Sequence, residues 1–289
     1  PAAAHADGYS MTKTYIGATV EADGSLTVVE GRQFDFDDDI NGVFWEINTG
    51  SNQQGGTAGV DVLSVEEEDT AFNKVDSANK GDSGVYTVEQ TGDGVRIKVF
   101  SPHESGDSAI YYVSYPMTGA VMNWADTAEL YWKFVGDGWS ADSDDVEMEG
   151  CFANAAAGTA AVKGDNFRAW GHGPLTGDVS LDEDEPMVTY TIPSVHRGEF
   201  AEARIAFPAS WVPSMPLSSR SDEERLPDIL DEEEQWAEEA NARRERARLL
   251  SYGLAALTVV VSVALLAVTM IQKLRLKRPI PTFSETYFR

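Results

Sequence analysis

The sequence predicts a mainly β protein, with an antiparallel β-sandwich ectodomain followed by a juxtamembrane helix and one transmembrane α-helix. Short runs rich in Val, Ile, Thr, Tyr and Phe recur from about Ser10 to Pro213. Turn signals such as Asp23-Gly24 and Asn41-Gly42 separate these runs, as in sandwiches built from hairpins. No helical periodicity alternates with them, which argues against an open parallel sheet. Residues 249–272 carry no charge and are long enough to cross a membrane, which takes about 20 apolar residues.

The predicted strands follow one another at the short spacing that is typical of a sandwich. They are Met11–Val20, Leu26–Phe36, Val43–Ile47, Gly59–Val65, Gly84–Gln90, Val95–Phe100, Ala109–Tyr115, Leu130–Val135, Val146–Phe152, Met187–Ile192 and Ala203–Phe207.

The same patterns divide the chain into consecutive segments. They are a signal-peptide remnant (1–6), the β-sandwich ectodomain (7–213), a linker with a charged juxtamembrane helix (214–248), the transmembrane helix (249–272) and a basic cytoplasmic segment (273–289) that we expect to be truncated.

The juxtamembrane helix is predicted over Pro227–Leu250, where acidic residues come early and arginines late, an order that suits the helix dipole. Glu239 and Arg243 are spaced as an i,i+4 ion pair. Because the segment is so rich in charge, a solvated and partly disordered spacer stays open as an alternative.

The direction of the span does not follow from its flanking charges, because four Arg precede it (243, 244, 246, 248) and four Lys or Arg follow it (273, 275, 277, 278). Small residues at Ala4 and Ala6 fit the end of a secretory signal. An arbitrary Ala-rich tail is the alternative. On the signal reading, we expect the domain before Leu249 outside the cell membrane and the residues after Gln272 inside.

Charge and cysteine content restrict the class of protein. Residues 1–213 carry 11 Lys and Arg against 36 Asp and Glu, a balance of −25. Nucleic acid phosphates would repel such a domain, so we expect no nucleic acid partner. The expected partners are the lipid bilayer and an unknown extracellular or envelope ligand. The one cysteine, Cys151, rules out an internal disulfide.

Several blocks of sequence resemble the DUF2207 (YciQ-like) family of predicted bacterial membrane proteins. They occur in the family's order through most of the ectodomain and are Asp23–Glu30 with Phe34–Phe36, Ile40–Ile47, Tyr111–Tyr115 with Thr118–Val121, Glu129–Trp139 and Arg204–Pro208. The most specific of them is Glu129–Trp139, which reads ELYWKFVGDGW.

The resemblance implies an exported N-terminal β domain followed by transmembrane helices, and it supplies no established activity. Two positions depart from the family's pattern. Trp45 stands where relatives usually have Arg, and the second cysteine that relatives often carry after the Cys151 stretch is absent here. The final residues, 281–289, resemble a segment that continues in relatives, so we expect a further membrane region beyond them.

Asp37, Asp39 and Asn41-Gly42 match the first half of a calcium loop, because oxygen ligands alternate before a glycine turn. The twelfth position is Asn48 rather than the bidentate Glu of such loops. We therefore favour an acidic hairpin turn over a calcium site. A second acidic loop contains three aspartates, Asp142, Asp144 and Asp145.

Other patterns give no catalytic constellation. Gly81–Gly84 (GDSG) resembles a serine protease nucleophile segment, but the only His before it is His5, so a turn is the better interpretation. His103, His172 and His196 lie in loop-like sequence without metal-ligand spacing. Four tryptophans (124, 132, 139 and 170) suit either sugar stacking or, more commonly, a sandwich core.

We assign no catalytic, cofactor-binding or metal-ligating residue, and the sequence favours a non-enzymatic surface module that binds, senses or scaffolds at the envelope. Two alternatives remain open at this point. One is a calcium-dependent adhesion or carbohydrate-binding module, and the other is an envelope hydrolase with a pocket that joins an acid to a His or to a second acid.

Overall fold

The computed structural model describes residues 8–49, 59–92, 94–136, 138–139 and 141–276. The chain forms two compact units, Pro1–Glu233 and Glu234–Arg289. The first unit contains all of the described strands, and the second contains most of one long helix.

The strands are β1 (Tyr9–Val20), β2 (Leu26–Phe36), β3 (Ile40–Asn48), β4 (Gly59–Val60), β5 (Ser64–Glu67), β6 (Thr70–Ala71), β7 (Asn73–Lys74), β8 (Val85–Gln90), β9 (Gly94–His103), β10 (Ser108–Thr118), β11 (Val121–Asn123), β12 (Ala128–Val135), β13 (Ser143–Phe152), β14 (Arg168–His172), β15 (Asp178–Asp182), β16 (Met187–Val195) and β17 (Ala201–Phe207). The α-helix α1 spans Leu226–Leu276, and short 3-10 turns occupy Ala155–Ala157, Ala209–Trp211 and Leu217–Ser219. The predicted class, a β domain followed by one long helix, is confirmed.

The strands form three sheets. The largest has the order β15-β16-β13-β1-β2-β10-β5-β6, with β4 paired to β10. The two smaller sheets are β11-β12-β17-β14 and β3-β9-β8-β7. Most pairs are antiparallel, but β1 pairs with β13, and β7 with β8, in parallel. Local turn signals do not predict the β1–β13 pairing, because parallel strands need a long connection between them.

The large sheet packs face to face against both smaller ones, which makes the unit a sandwich around one core. Phe34 on β2 contacts Trp45 on β3 with ring centroids 6.0 Å apart. At the other end, Phe152 on β13 lies 4.8 Å from Phe207 on β17.

Strand β2 shows the period-2 alternation that defines the core face. Leu26, Val28 and Phe34 are buried, whereas Thr27 and Val29 on the other face are exposed. The same alternation places a charged pair, Glu30 and Arg32, on the buried face, where a polar residue needs a partner.

Five strands (β6, β7, β11, β14 and β15) do not coincide with predicted ones. The first three are only two or three residues long. Strand β14 reads RAWGH and β15 reads DVSLD, so neither has an apolar, β-branched run. They are strands because β14 pairs with β17 and β15 pairs with β16. His172, the last residue of β14, therefore lies on a strand rather than in the expected loop.

The compact β unit continues past Pro213, the boundary that the sequence suggested, as far as Glu233. Met215 and Ile229 are buried in it. The amide of Ser221 donates to the carbonyl of Asn123, which adds main-chain pairing beside β11. The linker and the first two turns of α1 thus belong to the folded domain.

In the second unit, α1 runs without interruption through the segments predicted as juxtamembrane and transmembrane helices. Its side chains from Leu249 to Ile271 are exposed, and none of them is charged. Among the described residues, α1 is the one helix long and apolar enough to cross a membrane.

Phe34→Ala tests the core of the β unit. The ring of Phe34 is 1% exposed and packs against Tyr9, Phe36, Trp45 and Tyr111. Truncation leaves a cavity, so we expect the unfolding free energy to fall by about 3–5 kcal/mol. Urea unfolding followed by tryptophan fluorescence measures the loss.

The control for this substitution is Val29→Ala, on the exposed face of the same strand. We expect it to change the unfolding free energy by less than about 1 kcal/mol. Equal losses in the two variants would contradict the assignment of the buried face.

Candidate functional site

A cluster of interacting charged side chains lies where α1 begins in the β unit. The strands β12, β17 and β14 present their outer faces there, because β17 turns Ala203, Ile205 and Phe207 towards the core and Arg204 outward. We call this cluster the helix clamp and define it as Asp126, Glu129, His172, Glu202, Arg204, Glu232 and Glu233.

Arg204 is the centre of the helix clamp. Its side chain is 0% exposed, and its guanidinium contacts carboxylate oxygens of Glu129 at 2.7 Å, Glu232 at 2.8 Å and Glu233 at 3.0 Å. Glu129 comes from β12, and the two other glutamates come from the second turn of α1. A buried guanidinium must be matched by such carboxylates, because removing its hydration is costly. The first turns of α1 are therefore tied to the sheet by charge.

Further contacts satisfy the carboxylates. The indole of Trp124 donates to Glu129 at 3.0 Å, and Arg225 contacts both carboxylate oxygens of Glu232, at 2.8 and 3.1 Å. Burial raises the pKa of Glu129, although the charge of Arg204 opposes that rise.

Asp126 caps the start of the helix. Its two carboxylate oxygens accept the backbone amides of Arg225 at 2.9 Å and of Leu226 at 3.1 Å. The first amides of a helix have no partner within the helix, and a carboxylate there also suits the helix dipole. A residue about 100 positions earlier in the sequence thus fixes the point at which α1 begins.

His172 bridges the sheet and the helix. Its Nε2 lies 3.0 Å from Glu233, and its Nδ1 lies 3.7 Å from Glu202. Burial by itself lowers the pKa of His172, but the hydrogen bonds and charges of Glu202 and Glu233 outweigh it, so that the pKa is raised. Tyr131 donates to Glu202 at 3.1 Å and Lys133 lies 3.7 Å from it.

These side chains give the helix clamp a pH-sensitive charge balance. Arg204, Lys133 and Arg225 lie among five carboxylates, so a protonated His172 offsets part of the negative excess; the carboxylates are those of Asp126, Glu129, Glu202, Glu232 and Glu233. No local sequence pattern predicts this grouping, because the partners come from four elements that are distant in the chain. The arrangement holds a helix in place.

A second buried cation lies in the core. The guanidinium of Arg32 sits between the rings of Trp45 and Trp139, 4.0 and 3.7 Å from their centroids. Glu30 accepts from Arg32 at 2.8 Å and from the indole of Trp45 at 2.6 Å. Trp45, the departure from the family's pattern, therefore stacks on a cation that β2 supplies. Trp139 and Trp132 are buried, whereas Trp124 and Trp170 are half-buried.

Asp37 and Asp39 accept hydrogen bonds from the same residue, Ser105. The carbonyl of Asp37 accepts the hydroxyl of Ser105 at 2.7 Å, and the carboxylate of Asp39 accepts its amide at 3.0 Å. Asn41 belongs to strand β3. Within the described ranges, no group of three or more His, Cys, Asp and Glu side chains is placed to hold a metal ion.

The second acidic loop is also held by its own neighbours. The carboxylate of Asp142 accepts the amide of Arg197 at 2.7 Å and lies 3.2 Å from His196. Asp144 and Asp145 belong to β13. The segment 81–84 forms a turn in which the Asp82 carboxylate accepts the amide of Asn79 at 2.6 Å.

His103 is more deeply packed than its loop-like sequence suggested, because it ends strand β9. Its Nε2 lies 2.9 Å from the Tyr111 hydroxyl and 3.3 Å from Glu67, and its ring stacks on Phe36. Ser101 lies 3.4 Å from the same nitrogen, but its hydroxyl donates to Glu67. The alternation that buries Val95, Ile97 and Val99 continues through Ser101 and His103. That pattern in the sequence could have predicted that both face the core.

Comparison with known proteins identifies one family whose model matches most of the β unit. The family described as the N-terminal domain of a predicted membrane protein (DUF2207) matches residues 10–207. No curated protein matches the chain.

Among solved structures, the chain is similar to the native leukotriene A4 hydrolase of Saccharomyces cerevisiae, with 9% identity and a TM-score of 0.40 over 68% of this chain and 29% of that one. It is similar to an M1 zinc metallopeptidase of Deinococcus radiodurans, with 10% identity and a TM-score of 0.37 over 68% and 42%. A putative protease of Parabacteroides distasonis gives 9% identity and a TM-score of 0.39 over 69% and 41%. The chain thus spans less than half of each of these structures.

Arg204→Leu tests the helix clamp. The substitution leaves Glu129 and Glu233 buried without their cation, so we expect the unfolding free energy of the β unit to fall by about 3–5 kcal/mol. The matched control is Arg197→Leu, whose side chain is exposed and for which we expect a change of about 0.5 kcal/mol or less. Urea unfolding gives both values, and a small loss in Arg204→Leu would contradict the clamp.

The pH dependence of stability tests His172. Its folded-state pKa lies above the ordinary value of 6.5, so its contribution is complete below about pH 6.5 and is lost as the pH rises through the folded value. We expect a decline of at most about 1.4 kcal/mol per pH unit in that window. His172→Gln should flatten this decline, measured as unfolding free energy between pH 6 and 8.5.

The matched control for the pH experiment is His196→Gln, because the His196 side chain is 66% exposed. This variant should keep the decline of the unaltered protein. Glu202, whose pKa His172 and Lys133 lower in spite of burial, acts below its ordinary value of 4.5 and so outside the window. A decline that survives in His172→Gln would show that another group causes it.

Proposed function

The chain belongs to the DUF2207 family of predicted membrane proteins, and from that premise we propose that it is a membrane-anchored cell-surface protein. Its β-sandwich lies outside the cell membrane and binds, senses or scaffolds at the envelope. The lipid bilayer and an envelope ligand are its partners, and it is not an enzyme.

The helix clamp is the observation that carries this proposal. A folded domain fixes the first two turns of a helix with Asp126 and Arg204, and the same helix continues into an apolar stretch that suits lipid. A flexible tether would be enough to keep a domain near a membrane. Costly buried charge at the helix start favours a domain whose chain exit is held in a defined position.

Charge supports the outward placement of the domain. The cytoplasmic leaflet is rich in anionic lipids, which would repel a segment that carries a balance of −25. The basic residues that flank the span favour neither direction, since four lie on each side of it.

The side chains around the histidines favour a binding module over a hydrolase. The hydroxyl of Ser101 lies 3.4 Å from His103, but Ser101 is 6% exposed and its proton is directed to Glu67. The nitrogens of His172 face two glutamates. In both places the carboxylates hold the imidazole within a packed cluster rather than at the wall of a cleft.

Cysteine labelling tests the orientation. In a Cys151→Ser background, Asp184→Cys places a thiol in an exposed turn of the β unit, and Ser284→Cys places one after the span. We expect a membrane-impermeant maleimide to label the first variant in intact, right-side-out spheroplasts of the native cell. The second should react only after the membrane is permeabilised.

The parent with Cys151 alone is the control for background labelling, because its thiol is half-buried and burial raises its pKa. Labelling of Ser284→Cys in intact spheroplasts, with Asp184→Cys protected, would reverse the proposed orientation. Recovery of both variants in the soluble fraction would refute the anchor.

A further inference from the structure

The outer face of the β3–β9 pair carries a groove of about 370 Å³. Gly42 lies opposite Phe100 there, at an irregularity in the pairing between Ile40 and Gly42. Gly42 has a φ of +148°, and a Cβ at this position would lie 1.9 Å from the carbonyl oxygen of Val99. The position therefore requires glycine, because the backbone of Val99 and Phe100 occupies the place that a side chain would take.

Aromatic and cationic side chains line this groove together. Phe44 and Phe100 supply apolar surface, and Arg96 and Lys98 supply positive charge. None of the described residues that line it is acidic. In an ectodomain where acids outnumber bases by 36 to 11, this lining brings two cations together, and each of them also pairs with a glutamate beside the groove. It complements an anion that also carries an apolar group.

The two cations are held differently. Arg96 is bound to the carboxylate of Glu46 on the neighbouring strand, which fixes its position. Lys98 lies 3.3 Å from Glu89, and both of these side chains are about half exposed. An exposed pair of this kind contributes little to stability, so a ligand carboxylate can replace Glu89 at little cost.

We propose that the groove binds a small amphipathic carboxylate, with its apolar group against Phe44 and Phe100 and its carboxylate on Lys98. This ligand class deepens the proposed function. It rests on that function only for the location of the ligand, which is outside the cell membrane. The groove has a volume within the range of small-molecule sites, roughly 300–1,000 Å³. A carboxylate on an ammonium group is a charge-assisted contact, which gives the head group its selectivity.

The experiment uses the full chain in nanodiscs, with empty nanodiscs as the blank for partition into lipid. Three probes share one apolar group and differ in charge: 4-phenylbutyrate, 4-phenyl-1-butanol and 4-phenylbutylamine. Ligand-observed NMR or calorimetry gives the Kd of each. For a fragment of this size we expect saturable binding of phenylbutyrate at about millimolar Kd or tighter. The alcohol should bind about tenfold more weakly, and the amine should not bind.

Two substitutions separate the charge from the apolar contact. Lys98→Gln should weaken phenylbutyrate about tenfold and leave the alcohol unchanged, since only the charged contact is lost. Phe100→Ala should weaken both probes by a similar factor. Lys74→Gln on strand β7 is the matched control, because it makes the same charge change at an exposed residue outside the lining. It should leave every Kd unchanged.

Each outcome decides the proposal. Absence of saturable phenylbutyrate binding overturns it, as does equal weakening in Lys98→Gln and Lys74→Gln. Equal affinity for the acid and the alcohol would show an apolar site of another kind and also overturns it. Should Phe100→Ala fail to fold, the comparison of acid with alcohol in Lys98→Gln is still decisive. The result is independent of the labelling experiment, since nanodiscs have no inside or outside.

Discussion

The neutralisation of Arg204 is the interaction on which the organisation of this protein depends. A guanidinium with no exposed surface can persist only where carboxylates meet it, and here they come from β12 and from the second turn of α1. The sheet is therefore complete only when the start of the helix lies on it. A domain of strands and the first residues of a long apolar helix become one folding unit for this electrostatic reason.

A second buried arginine, neutralised by a glutamate, lies in the core. Arg32 and Glu30 form a buried pair on β2, and two indole rings cover the cation. Such pairs add little net stability compared with apolar packing, but a register slip of β2 that moves the pair away from the rings of Trp45 and Trp139 is penalised. Two buried arginines thus specify how the large sheet meets the smaller ones and where the helix begins. The acidic surface contributes to neither and serves solubility.

Ligand binding is proposed for the groove on β3 and β9, whose charged side chains lie outside the core. Glutamates surround His172 and hold it within the clamp, whereas Lys98 shares only an exposed ion pair and can change its partner. The contrast is one of solvation: a partly exposed charge can exchange an intramolecular carboxylate for that of a ligand, and a buried one cannot without loss of stability. The positive groove is therefore better suited to recognition than the more heavily charged clamp.

The sequence by itself determined the class of the fold, the positions of the long strands and the apolar helix, because alternation with period 2 and a charge-free run are local patterns. Leu26–Phe36 was predicted with the bounds that β2 has. Tertiary structure alone decided the parallel pairing of β1 with β13, the polar strands β14 and β15, and the inclusion of residues up to Glu233 in the domain. It also assembled the clamp and the groove. These features depend on contacts between residues distant in the chain, and no local propensity encodes which carboxylate a buried arginine will meet.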